Sequence, residues 1–238
     1  MLKYSARTKH LLPFFLILLS ALLSSCTSRI STQSSGAAFQ APLDFPFAYY
    51  QQAEKSGANV LHIDTRRSQV VIEVRRGGVL ARLGHDHVVA SHDVTGYVDV
   101  TAGRADLIVP LTRLSVDETA LRTEAGFTTQ PSPEAIEGTR HNMLEKVLEA
   151  GRFPFALIAV RRSTTDPLML SVTITLHDTV RTFEVPAQIA YKAGDLEING
   201  RLSFKQSDFG ITPFSILGGA MQVQDKLDLR FKIIAAEH

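Results

Sequence analysis

From Lys226 to Ile233 the chain alternates without a break. Leu227, Leu229, Phe231 and Ile233 fall on one side, and Lys226, Asp228, Arg230 and Lys232 on the other. A period of two marks a β-strand with one dry and one wet face, which fits an antiparallel sheet better than a parallel one buried on both sides. The same period recurs at Val70, Ile72 and Val74. It recurs again at Phe183, Val185, Ala187, Ile189 and Tyr191, and at Leu196, Ile198, Gly200, Leu202 and Phe204. Gly77-Gly78, His177-Asp178-Thr179 and Ala193-Gly194-Asp195 are turn signals between the runs. So many half-apolar strands must bury their dry faces together, so the expected fold is a closed barrel or a sandwich.

One segment departs from this period. Ser132, Pro133 and Glu134 form a good helix start, with a capping hydroxyl, a proline at the first helical position and an acid in the first turn. Ile136, Met143, Leu144, Val147 and Leu148 then follow helical spacing, and Gly151 supplies a stop. A second short helix is expected near residues 118–124. Aromatic-rich residues 43–55 offer a possible third.

The N-terminus reads as an address. Lys3, Arg7 and Lys9 precede an almost wholly apolar run at residues 11–23, which is short for a membrane span of ~20 residues but suits a signal peptide. The run ends in Leu23-Ser24-Ser25-Cys26, which resembles a bacterial lipobox, and Cys26 is the chain's only cysteine. Cleavage before Cys26 and lipidation of its thiol are therefore expected. Thr27 and Ser28 follow with no aspartate, which in the proteobacterial sorting rule favours the outer membrane, facing the periplasm. Residues 27–41 are rich in Ser, Thr, Gln, Gly and Ala and hold few large apolar groups, as expected of a tether. The expected organisation is a signal peptide at 1–25, a tether with a possible short helix at 26–57, and a β domain at 58–238.

Without its first 25 residues the chain has 22 basic and 24 acidic side chains, so no net charge points to nucleic acid. A single cysteine cannot form an internal disulfide, so the fold must rest on its core.

Several stretches, in order, resemble the YceI-like family. Residues 61–64 with 68–74 (LHID and SQVVIEV) are similar to its opening strands, with Gly84 and Gly96 near its early glycines. Phe153-Pro154 followed by 155–160 is similar to the strand after its helix. Residues 176–186 (LHDTVRTFEVP) are similar to its hairpin, and residues 207–211 (SDFGI) with 223–225 (VQD) to its ending. The likeness spans roughly residues 59–236. Arg140-His141 stands in place of an Arg-Asp pair, Asp178 in place of a hairpin glycine, and Gln206-Ser207 where an arginine precedes the aspartate. The resemblance implies a mainly β, lipocalin-like antiparallel barrel of about eight strands with one helix packed over it. It also implies that the chain binds a polyisoprenoid, quinone or similar amphiphile and catalyses nothing.

In such a barrel half of each strand faces inward. The candidate lining residues are Val70, Ile72, Val98, Met143, Phe153, Phe155, Phe209, Ile211 and Phe214, with plain core packing as the other reading of each. Among histidines, His85 and His87 stand two apart in residues 84–87 (GHDH). On a strand they would share a face and could hold Zn²⁺ or Cu²⁺ if His141 or His177 came near. Metal binding is thus the alternative function. No nucleophile elbow, phosphate loop or cysteine nucleophile is present, as expected of a protein that is not an enzyme.

Overall fold

The computed structural model describes Pro42 and residues 45–166 and 168–237. The expected signal peptide, Cys26 and the tether at 27–41 lie outside them.

The elements in chain order are α1 (Phe47–Lys55), β1 (Val60–Ile63), β2 (Gln69–Gly77), β3 (His87–Ser91), β4 (Thr95–Asp99), β5 (Arg104–Pro110) and β6 (Ser115–Val116). There follow α2 (Thr119–Glu124), α3 (Pro133–Asn142), β7 (Phe155–Arg162), β8 (Met169–Leu176), β9 (Thr179–Lys192), β10 (Asp195–Lys205), β11 (Ser215–Ile216) and β12 (Met221–Ala236). Eight antiparallel strands close into a ring in the order β1, β4, β5, β7, β8, β9, β10, β12, and β12 returns to β1 through His62 opposite Ala236 and Ile63 opposite Ala235. The barrel expected from the alternating runs is therefore present.

The long β12 serves two neighbours on one edge: β1 at its end and β2 along most of its length. β1 and β2 act as one bent strand. At the bend the Asp64 carboxylate accepts from the amides of Arg66 and Arg67 at 3.0 and 3.2 Å, a turn built by a side chain. Just after it, Ser68 Oγ accepts from the Ile234 amide at 3.0 Å, so the backbone of β12 stays bonded where the ladder is interrupted. β3 pairs with β2, and β6 with β3.

The hairpin turns follow their residues. His177 and Asp178 between β8 and β9 have φ of 52° and 55°. Ala193 and Gly194 between β9 and β10 have 52° and 93°. Two consecutive positive φ values give the turn whose twist matches that of the flanking strands. Along β9, Val185 and Ala187 are buried, but Ile189 and Tyr191 at the far end of the same alternation are exposed.

The helix at Ser132 starts as expected: Ser132 Oγ accepts from the Ala135 amide at 3.3 Å. Its ten α-helical residues continue into five of π-helix, Met143–Val147. Arg140 fastens it by donating to the carbonyls of Leu114 and Thr112 at 3.1 and 2.8 Å. On the outer surface, α1 lies on β4 and β5. Tyr50 is buried, stacks on Tyr97 with 4.9 Å between ring centres, and donates to Asp106 at 2.6 Å.

Candidate functional site: an apolar cavity with one polar rank

The inward faces do not meet in the middle. They enclose a cavity of about 350 Å³. Its wall follows strand parity: Val70, Ile72 and Val74 from β2, Leu107 and Val109 from β5, Ala156, Ile158 and Val160 from β7, and Leu227, Leu229, Phe231 and Ile233 from β12. The alternate residues face away. On β12 these are charged: Lys226 pairs with Asp228 at 2.8 Å and Arg230 with Glu124 at 2.6 Å. Met143 and Val147 reach the cavity from the π-helical turn, and Ile211 and Phe214 from the segment after β10.

Of the candidate lining residues, Val70, Ile72, Val98, Met143, Ile211 and Phe214 line the cavity. Phe153, Phe155 and Phe209 are placed elsewhere. Phe153 is buried against the His177 ring, 4.1 Å between centres. Phe155 opens β7 on the face opposite Ala156 and Ile158. Phe209 is fully buried and meets Phe204 edge to face at 5.5 Å. Reading from sequence missed Ala156, Ile158 and Val160 because residues 155–160 (FALIAV) are apolar on both faces, so alternation gives no parity there.

The polar lining residues are His87, Ser91, Thr139, Asn142 and Gln206. Among the described residues the lining holds no Lys, Arg, Asp or Glu. Strand register aligns one rank of the wall: His87 opposes Val74, Val74 opposes Leu227, and Leu227 opposes Phe204, two residues before Gln206. Thr139 Oγ1 donates to the Ala135 carbonyl at 2.8 Å, and Gln206 Nε2 to the Gln224 carbonyl at 2.9 Å.

Behind His87 stands a buried ion pair. His87 Nδ1 lies 2.6 Å from Asp117 Oδ2, and Asp117 Oδ1 accepts from the Val88 amide at 3.0 Å and from Arg122. Arg122 is 1% exposed, and it also donates to the Asp86 carbonyl at 2.6 Å and to the Thr129 carbonyl. Asp117 takes a left-handed backbone, φ 58°, to aim its carboxylate. Burial alone would raise its titration, but the hydrogen bonds from His87, the Val88 amide and Arg122 hold the carboxyl below its ordinary range.

The histidine cluster does not assemble. His85 precedes β3 while His87 opens it, and their ring centres are 6.3 Å apart. His177 pairs with Glu149 at 3.2 Å, and His141 lies on the exposed side of α3 beside Glu134 and Glu137. Among the described residues no group of three or more His, Cys, Asp or Glu side chains is placed to hold a metal ion. The motif instead fixes one histidine: Asp86 accepts from the Arg76 amide at 2.9 Å, and its carbonyl receives Arg122.

A closed antiparallel barrel around an apolar cavity, with a helix over it, is the architecture of a small class of ligand-enclosing folds. The family model described as the YceI-like domain matches residues 61–235, and the chain belongs to that family. Among solved structures, it is similar to one described as a polyisoprenoid binding domain from Saccharophagus degradans, at 12% identity and a TM-score of 0.55, covering 75% of this chain and 98% of that one. It is also similar to BcnA of Burkholderia cenocepacia, at 14% identity and 0.51, covering 73% and 99%. Among curated proteins none matches the chain.

Proposed function

We propose that this protein holds an isoprenoid or similar long-tailed amphiphile in its barrel, tethered to a bacterial membrane by lipid on Cys26. The observation that carries the reading is the cavity wall, which is apolar around the ring and carries few polar side chains, His87, Ser91, Thr139, Asn142 and Gln206 among the described residues. An isoprenoid tail needs no directional chemistry. It is bound by the apolar area withdrawn from water, roughly 25 cal/mol per Å². The Saccharophagus domain, described as polyisoprenoid-binding, supports the ligand class. The lipobox-like residues 23–26 support export and an anchor, and Thr27-Ser28 after the cysteine support the outer membrane, facing the periplasm. One acyl chain holds a protein only marginally and several hold it firmly.

The test is mass spectrometry of an organic extract of the protein purified from its native host. The expected result is a stoichiometric isoprenoid or quinone-type lipid. A protein that yields none, and that takes up no prenyl probe, would remove the proposal.

A further inference from the structure

The ligand's tail is accounted for by the cavity wall, but its head is not. Four of the five polar side chains on the wall sit near the His87 rank or on the helical cover: His87, Thr139, Asn142 and Gln206. Thr139 and Gln206 each spend a donor on backbone carbonyls. His87 is different. It is held through Nδ1 alone, and its Nε2 has no hydrogen-bond partner among the described residues. The Asn142 carboxamide also makes no hydrogen bond among them, so the cavity holds a second unspent polar group.

The ion pair behind His87 decides what its Nε2 can do. Asp117 is already neutralised by Arg122, at 0% and 1% side-chain exposure. In its neutral form His87 donates its Nδ1 proton to Asp117 Oδ2, while Arg122 takes the other carboxylate oxygen. That bond selects the tautomer with hydrogen on Nδ1 and leaves the lone pair of Nε2 as an acceptor. An acceptor in an apolar cavity is matched by a ligand that donates. Among the described residues the lining carries no Lys or Arg, so a diphosphate or carboxylate brought there loses its hydration without a fixed counter-charge. A fully oxidised quinone or a methyl ether carries only acceptors and so makes no hydrogen bond with Nε2 of His87, whatever it draws from the Asn142 carboxamide.

Resting on the amphiphile reading above, we infer that His87, aligned by Asp117 and Arg122, is the head-group contact, and that the ligand's head is an uncharged hydroxyl: a prenyl alcohol, a phenol or a hydroquinone. The hydroxyl donates to His87 Nε2.

The full chain, in one fixed detergent concentration, is titrated with farnesol, farnesyl methyl ether and farnesyl diphosphate in competition with a fluorescent long-chain probe. These three share a tail and differ only in the head. The alcohol is expected to bind about tenfold tighter than the ether, the worth of one net hydrogen bond, and tighter than the diphosphate. In His87→Phe the alcohol and ether should become equal, with the ether bound as in the wild type. Equal affinity of the wild type for alcohol and ether, or a preference for the diphosphate, would overturn the assignment while leaving the tail site intact. A preference for the alcohol that persists in His87→Phe would overturn it too. If none of the three displaces the probe, the amphiphile reading itself fails. The comparison on the wild type stands even if the variant does not fold.

Discussion

Gly200 on β10 lies opposite Phe231 on β12, and the Phe231 ring covers the space where a side chain at Gly200 would stand. A Cβ there would overlap the ring, which is also part of the cavity wall. In an ordinary strand Gly→Ala gains roughly 0.5–1 kcal/mol. Here Gly200→Ala is expected to cost about 1–3 kcal/mol, because the ring must leave its place. Urea unfolding measures this. An unchanged or higher midpoint would mean the ring moves aside freely.

Ala156 on β7 faces the cavity opposite Val109 of β5. Ala156→Leu places three more carbons in empty space rather than in a packed core. It should raise stability by roughly 0.5–2 kcal/mol, as cavity-filling changes do, and weaken binding of any prenyl probe. Thermal unfolding and probe titration on the same sample check both signs. Tighter binding would show that the tail does not occupy this part of the barrel.

The barrel was legible because most of its strands are wet outside and dry inside. β12 declares its parity through Lys226, Asp228, Arg230 and Lys232. β7 does not, having apolar residues on both faces, so its pattern offers Phe155 for the lining as readily as Ala156. The helix start at Ser132 was legible because capping is local. The π-helical turn at Met143 was not, since a single turn is too short to show a period of its own. The role of residues 84–87 was hidden for a different reason. What determines His87 is Asp117, thirty positions away, and no local pattern joins them.

Removing one member of the buried ion pair should be severe. Asp117→Asn leaves the Arg122 guanidinium buried without its counter-charge, an expected loss of roughly 3–5 kcal/mol. The pH dependence has a definite sign. The folded Asp117 carboxyl titrates below its unfolded value, so the folded state binds fewer protons across that window. The contribution is complete above the ordinary carboxylate range near pH 4 and is lost as pH falls through the lower folded value. Urea midpoints from pH 7 to pH 2 should fall more steeply in the wild type than in Asp117→Asn. Parallel curves would contradict this.

Tyr50 fastens α1 to the outside of the barrel. Burial and the hydrogen bond to Asp106 drive its phenol far above its usual titration, so it remains a donor at any physiological pH. Tyr50→Ala should free the α1 amides to hydrogen exchange while leaving probe affinity within about twofold, because the Tyr97 and Asp106 side chains face away from the cavity. A collapse of binding would show that α1 supports the wall.

Cys26→Ser tests the anchor. The variant should lose palmitate labelling and shift from the membrane to the soluble fraction of the envelope, while the isolated protein keeps its affinity for prenyl probes. A variant that still sediments with membranes would require another attachment.

The cavity also bears on how much of the protein a cell keeps. Empty apolar space in a folded protein is unfavourable, at about 24 cal/mol per Å³ where it has been opened by truncation. A ligand that fills the barrel binds the folded chain and not the unfolded one, and so draws the equilibrium towards the fold. Under the proposed function, chains that have found a ligand would outlast chains that have not wherever proteases act on the unfolded state. The steady-state amount of the protein would then track the supply of that ligand, without a promoter or a sensor having to respond to it.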